Sequence, residues 1–168
     1  QVSLSDPEVP LDVRLKVFNP MVPGDAAVSG IPIAILRFVL YNRGDSDVSA
    51  SVLGSLGNCI GEESGAPERT PNVNRYQEKR SGNTSLRGLL MESPGAKSLD
   101  TDCGTIAIAV VGQQAVQHRL DWRGRSKPVA RERLWRTFNA TGDLTVPEQE
   151  SEMPVAALNS PVTVPAGD

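Results

Sequence analysis

Alternation of apolar and charged residues at a period of two constrains this chain more than any other feature. In Asp12-Val13-Arg14-Leu15-Lys16-Val17, successive side chains of an extended strand point to opposite faces, so Val13, Leu15 and Val17 share one face and the charges the other. That is a one-sided strand. Pro20, Pro23 and Gly24 break it, and the run Ile31 to Tyr41 is apolar on both faces, which predicts a strand in need of cover on both sides. Turn residues Asn42 to Asp47 follow, then Val48, Ala50 and Val52 alternate with serines, so the two runs read as an antiparallel hairpin.

Further along, the polar stretch from Gly61 to Ser85 reads as a long loop. Leu86 to Met91 and Gly104 to Val111 read as strands, the second with Ile106, Ile108 and Val110 on one face. Pro128 to Ala140 is the helix candidate, with Pro128 at its first position, a stripe of Ala130, Leu134, Trp135 and Phe138, and Gly142 to stop it. Val155 to Leu158 and Val162 to Val164 read as short strand pieces. Short strands, Gly- and Pro-rich turns and one short helix predict a mainly β, antiparallel β-sandwich forming a single domain over 1–168. Leu, Ile, Val and Phe make up 42 of 168 residues, a quarter of the chain and enough for a core. The chain starts at Gln1 and closes on the turn signal Pro165-Ala166-Gly167-Asp168, so the expectation is a fragment of a larger domain, truncated at both ends.

Composition narrows the chemistry. Cys59 and Cys103 match no zinc or redox spacing and are expected to be buried or unremarkable thiols. His118 is the sole histidine and has no partner at metal-ligand spacing. There is no Gly-x-Ser-x-Gly elbow, phosphate loop or dinucleotide fingerprint, and the acids lie mostly in turns and polar stretches rather than as a recognisable catalytic pair. No catalytic, cofactor or metal residue is expected. No run approaches the ~18 apolar residues of a membrane span, and Gln1-Val2-Ser3-Leu4 has no charged segment leading an apolar one. The sequons at Asn83 and Asn139 matter only in a secretory compartment.

The charge anomaly lies between Arg119 and Arg136, where seven basic residues face two acids. Trp122 and Trp135 interleave with them. A net charge of -3 over the chain disfavours nucleic acid, and six Arg to one Lys favours an interface, because guanidinium pairs bidentately and stacks on rings. Arg119, Trp122, Arg123, Arg125, Arg133 and Arg136 are the candidate interdomain surface. Trp135 and Phe138 are expected to be buried by the helix, leaving Trp122 and Tyr76 as the aromatics open to a ligand.

A family resemblance rests on the order of several segments. Phe18-Asn19-Pro20-Met21-Val22-Pro23-Gly24-Asp25 precedes Gly30-Ile31-Pro32-Ile33-Ala34-Ile35-Leu36-Arg37-Phe38-Val39-Leu40-Tyr41-Asn42, and Leu56-Gly57-Asn58-Cys59-Ile60-Gly61, Arg87-Gly88-Leu89-Leu90-Met91 and Leu134-Trp135-Arg136-Thr137-Phe138 follow. From about Leu15 to Asp168 the chain resembles the N-terminal domain of glycoside hydrolase family 116, the non-lysosomal glucosylceramidase or bile-acid β-glucosidase type. The resemblance implies a β-sandwich that precedes an (α/α) helical-barrel domain carrying both catalytic carboxylates of a retaining β-glucosidase. No catalytic residue transfers to this chain, which is expected to be inactive alone. Its partner would be that barrel, with a β-glucoside or glucosylceramide as the parent's substrate and no cofactor. The alternative is a stand-alone carbohydrate-binding or cell-surface sandwich module.

Overall fold

Strand β2 (Leu11–Phe18) pairs antiparallel with β1 (Val2–Leu4) and with β3 (Ile35–Asn42). The computed structural model describes residues 1–61, 71–95, 104–112, 114–123 and 127–167. Its chain forms two compact units, 1–50 with 163–168 and 51–162, the division falling within strands β4 (Val48–Gly57) and β9 (Val155–Val164).

In the first unit, the period-two pattern is realised along β2. Arg14 and Lys16 are exposed while Val13 and Leu15 are half-buried. A four-residue helix, α1 (Ala26–Ser29), starts where the Asp25 carboxylate accepts the Val28 N–H at 3.0 Å. Asn42, fully buried, ties the unit together: its Nδ2 donates to the carbonyls of Ser46, Val164 and Pro165 at 2.8–3.1 Å, and its Oδ1 accepts the Gly44 N–H. The residues expected to turn a hairpin therefore do something else. β3 pairs with β2, and β4 lies beside β9 in a different sheet.

The second unit holds the sandwich. One sheet has the order β4-β9-β8, with β8 at Gln117–Arg119; the other has β5 (Val73–Ser81), β6 (Thr84–Glu92) and β7 (Thr105–Val111) in meander order. Leu89 and Met91 of β6 meet Ala156 and Leu158 of β9 in one core, joined by Leu56, Ile106 and Ile108. On the opposite side of β9, Ala157 packs with Leu134, Leu144 and Val146 beneath helix α2 (Lys127–Thr141). Burial on both faces explains why 155–158 is uniformly apolar. The segment belongs to one ten-residue strand rather than to two short pieces.

Strands also occupy much of the stretch read as a loop. Residues 62–70 lie outside the described ones, but 73–81 and 84–92 form a hairpin turning at Gly82 (φ +56°) and Asn83. β5 is an edge strand whose outer residues are mostly exposed, so its charges are cross-strand partners instead of loop solvation. Glu78 stands opposite Arg87 and pairs with it at 3.3 Å, and Arg75 reaches Glu92 at 3.6 Å. Helix α2 ends as expected at Gly142 (φ +70°).

Candidate functional site

The arginine-rich segment is split by the structure into two parts with different neighbours. Arg119, half-buried on β8, donates to the carbonyls of Val146 and His118. Arg123 donates to the Met153 carbonyl at 3.2 Å. Both guanidiniums thereby brace the 143–153 connection between α2 and β9. Trp122 is half-buried against the α2 core, its Nε1 donating to Ser55 Oγ at 2.8 Å. Arg133 and Arg136 are exposed on α2, Arg136 paired with Glu132 one turn earlier. Arg125 lies outside the described residues.

The expectation for Trp135 is overturned, and Trp122 and Tyr76 are less open than expected. Trp135 is 68% exposed, because its position on α2 lies roughly 100° from Leu134 and leaves the stripe that Ala130, Leu134 and Phe138 form. Tyr76 is half-buried and stacks on His118, ring centroids 4.2 Å apart. That burial lowers the His118 pKa, with Glu148 opposing the shift. Cys59 is a free, exposed thiol, and Cys103 lies outside the described residues.

A groove of about 610 Å³ runs past Asn72, Asn74, Asp121, Glu148, Glu150 and Glu152. Its asparagines, Asp121 and Glu148 are occupied internally. One Asp121 oxygen accepts the Arg123 and Val155 N–H groups and the other the Ser151 hydroxyl, while Glu148 accepts the Asp121 N–H. Asn58 Nδ2 reaches Asn74 Oδ1 and Glu92 O, Asn72 Nδ2 reaches Asn58 and Ile60 carbonyls, and Asn74 Nδ2 reaches Leu120 O. The asparagines and Asp121 fix loop ends to strands, a role that scattered polar residues in the sequence do not announce. Among the described residues no group of three or more His, Cys, Asp or Glu is placed to hold a metal ion.

What the chain does present is bare apolar surface on the first unit. The register puts Val2, Leu4, Val13, Leu15, Val17, Leu36, Phe38 and Leu40 on one face of the β1-β2-β3 sheet, with no charge among them. Val2, Leu4, Val17 and Leu36 are each 53–55% exposed and Phe38 is 40% exposed. Contiguous apolar surface of this kind marks a place where something else packs. No helix of the described residues is long and apolar enough to cross a membrane.

Compared with known proteins, residues 1–168, the entire chain, match the family model described as "beta-glucosidase 2, glycosyl-hydrolase family 116 N-term". No curated protein matches the chain.

Proposed function

This chain belongs to the N-terminal domain family of glycosyl-hydrolase family 116, and from that premise we propose that it is a non-catalytic β-domain supporting the helical-barrel catalytic domain of a retaining β-glucosidase. The parent acts on a β-glucoside or glucosylceramide, and both catalytic carboxylates belong to the barrel. The observation that carries the reading is the uncharged sheet face of β1-β2-β3. Completing the burial of a half-exposed Val, Leu or Phe gains about 1 kcal/mol, so Val2, Leu4, Val17, Leu36 and Phe38 together supply enough to hold a domain in place. Arg119, Trp122, Arg123, Arg125, Arg133 and Arg136 are proposed as a second, polar contact zone, since interdomain surfaces are more polar than cores. The domain's contribution is positional: catalytic carboxylates act only when held to within a fraction of an ångström.

The test uses the parent enzyme carrying Leu36→Asp and Phe38→Asp together. The expected result is a lower Tm for the barrel and a loss of kcat/KM toward an aryl β-glucoside, with the 168-residue chain by itself giving no turnover. Unchanged Tm and kcat/KM in the double variant, or enzyme-like turnover by the chain alone, would refute the reading.

A further inference from the structure

The other face of the same sheet carries a different message. Side chains alternate, so residues facing away from the apolar set are Asp12, Arg14, Lys16 and Phe18 on β2 and Ile35, Arg37, Val39 and Tyr41 on β3. Lys16 stands directly opposite Arg37, and Arg14 is opposite Val39 on the next rung. Opposed side chains on a ladder start about 5 Å apart and diagonal ones about 7–8 Å. Three cations therefore share one small area, and all three are exposed.

Like charges opposed across a strand pair cost stability, and the β1–β2, β5–β6, β6–β7 and β8–β9 registers contain no such pair. Arg87 faces Glu78, Arg75 reaches the diagonal Glu92, and Arg43 pairs with Asp12 at 3.3 Å. Among the described residues, Arg14, Lys16 and Arg37 have no carboxylate within ion-pair distance. The one acid on their face, Asp12, is engaged by Arg43. The cations are also framed: Phe18 and Ile35 form the rung on one side, Val39 and Tyr41 flank the other, and these four are 37–52% exposed.

We propose that this face is a docking surface for an acidic protein partner, one presenting two or three carboxylates flanked by apolar side chains. The geometry selects carboxylates on a protein over a lipid headgroup layer. An acid meeting Arg37 would be screened from water by Phe18 and Ile35 below it and Val39 above, and ion pairs gain weight when water is excluded. Arg14 and Arg37 offer bidentate forks, which match carboxylate geometry and add direction to the attraction. This surface is separate from the apolar face on which the proposed function rests, and either proposal can fail without the other.

The probe is fluorescein-labelled poly-L-glutamate, titrated with the 168-residue chain and followed by anisotropy at two salt concentrations. The chain's net charge of -3 opposes the association, so binding must come from a local patch. Lys16→Glu is the informative variant because it replaces a repulsive pair with an attractive one across from Arg37. It is expected to weaken binding about tenfold while Tm stays level or rises by about 1–3 °C. Misfolding cannot then account for the loss. Arg131→Glu on α2, which changes net charge identically, is expected to leave binding within about twofold. Equal losses in the two variants would overturn the proposal, as would absence of binding to the wild type. Tighter association with phosphatidylserine–phosphatidylcholine vesicles than with poly-L-glutamate, lost on Lys16→Glu, would overturn it in favour of a lipid surface.

Discussion

Asn58 is the position at which one substitution tests the described architecture most directly. Its side chain is 1% exposed and sits between Asn72 and Asn74, themselves 4% and 5% exposed. Nδ2 donates to Val73 O at 3.3 Å, Asn74 Oδ1 at 3.0 Å and Glu92 O at 3.1 Å, while Oδ1 accepts the Asn72 amide at 3.1 Å and the Ile60 N–H at 3.4 Å. Asn58→Ala strips that set. Leaving a buried polar group unsatisfied costs about 1–3 kcal/mol, and with two groups uncompensated the expected loss is about 4 kcal/mol. In a domain of this size that lowers Tm by about 8–16 °C. Asn58→Asp preserves volume but turns the donor into an oxygen facing three acceptors. Burial then raises the pKa of the introduced carboxyl in the folded state. A raised folded pKa means that the stability of the protonated form is fully present below the unfolded value of about 3.9 and is lost as pH rises through the folded one. The Asn58→Asp deficit relative to wild type should therefore be large at pH 7 and shrink toward pH 4, whereas that of Asn58→Ala should hold constant. Urea unfolding followed by circular dichroism at several pH values reads both. A deficit below about 1 kcal/mol for either variant at pH 7, or an Asn58→Asp deficit independent of pH, would refute the assigned network.

Two further outcomes follow from the second unit. A Cβ on Gly88 would clash with the Ile108 carbonyl oxygen and lie 2.6 Å from Ala109 Cβ, whereas the one close approach of a Cβ on Gly54 is to the flexible tip of Ile108 at 2.7 Å. Gly88→Ala is therefore expected to cost more than about 3 kcal/mol and Gly54→Ala about 1 kcal/mol. Thermal melts check this, and the opposite order would contradict the β6–β7 approach. His118 has a lowered pKa because it is buried, so the unfolded chain takes up the proton first and stability falls as pH drops from about 6.5 through the folded value. Glu78, its pKa lowered by hydrogen bonds from Arg80 and Arg87, adds a separate loss only below the ordinary carboxylate value. His118→Phe keeps a ring against Tyr76 and is expected to flatten the higher-pH limb alone; parallel Tm curves for variant and wild type between pH 8 and 5 would count against it.

Much of this protein was legible in its sequence because the information was local. The period-two runs at 12–17 and 105–111 named their strands, and Pro128 with Gly142 bounded the helix. The ordered segments pointed to the family. The stretch 73–81 reads as a loop in the sequence because an edge strand that pairs its charges across a hairpin has the same composition as a solvated loop. Asn42 to Asp47 looked like a hairpin turn, yet the chain passes there from one sheet to another, since turn chemistry fixes a reversal but not the partner of the next strand.

By itself, then, the amino-acid order settled the β class, the helix and the alternation that gives the first sheet an uncharged face. Tertiary structure alone decided that Asn58, at the end of β4, meets Asn72 and Asn74 at the start of β5, that Trp135 rather than Trp122 is exposed, and that Lys16 stands across from Arg37. Periodicity is a property of neighbouring residues, but strand register and burial depend on residues tens of positions apart.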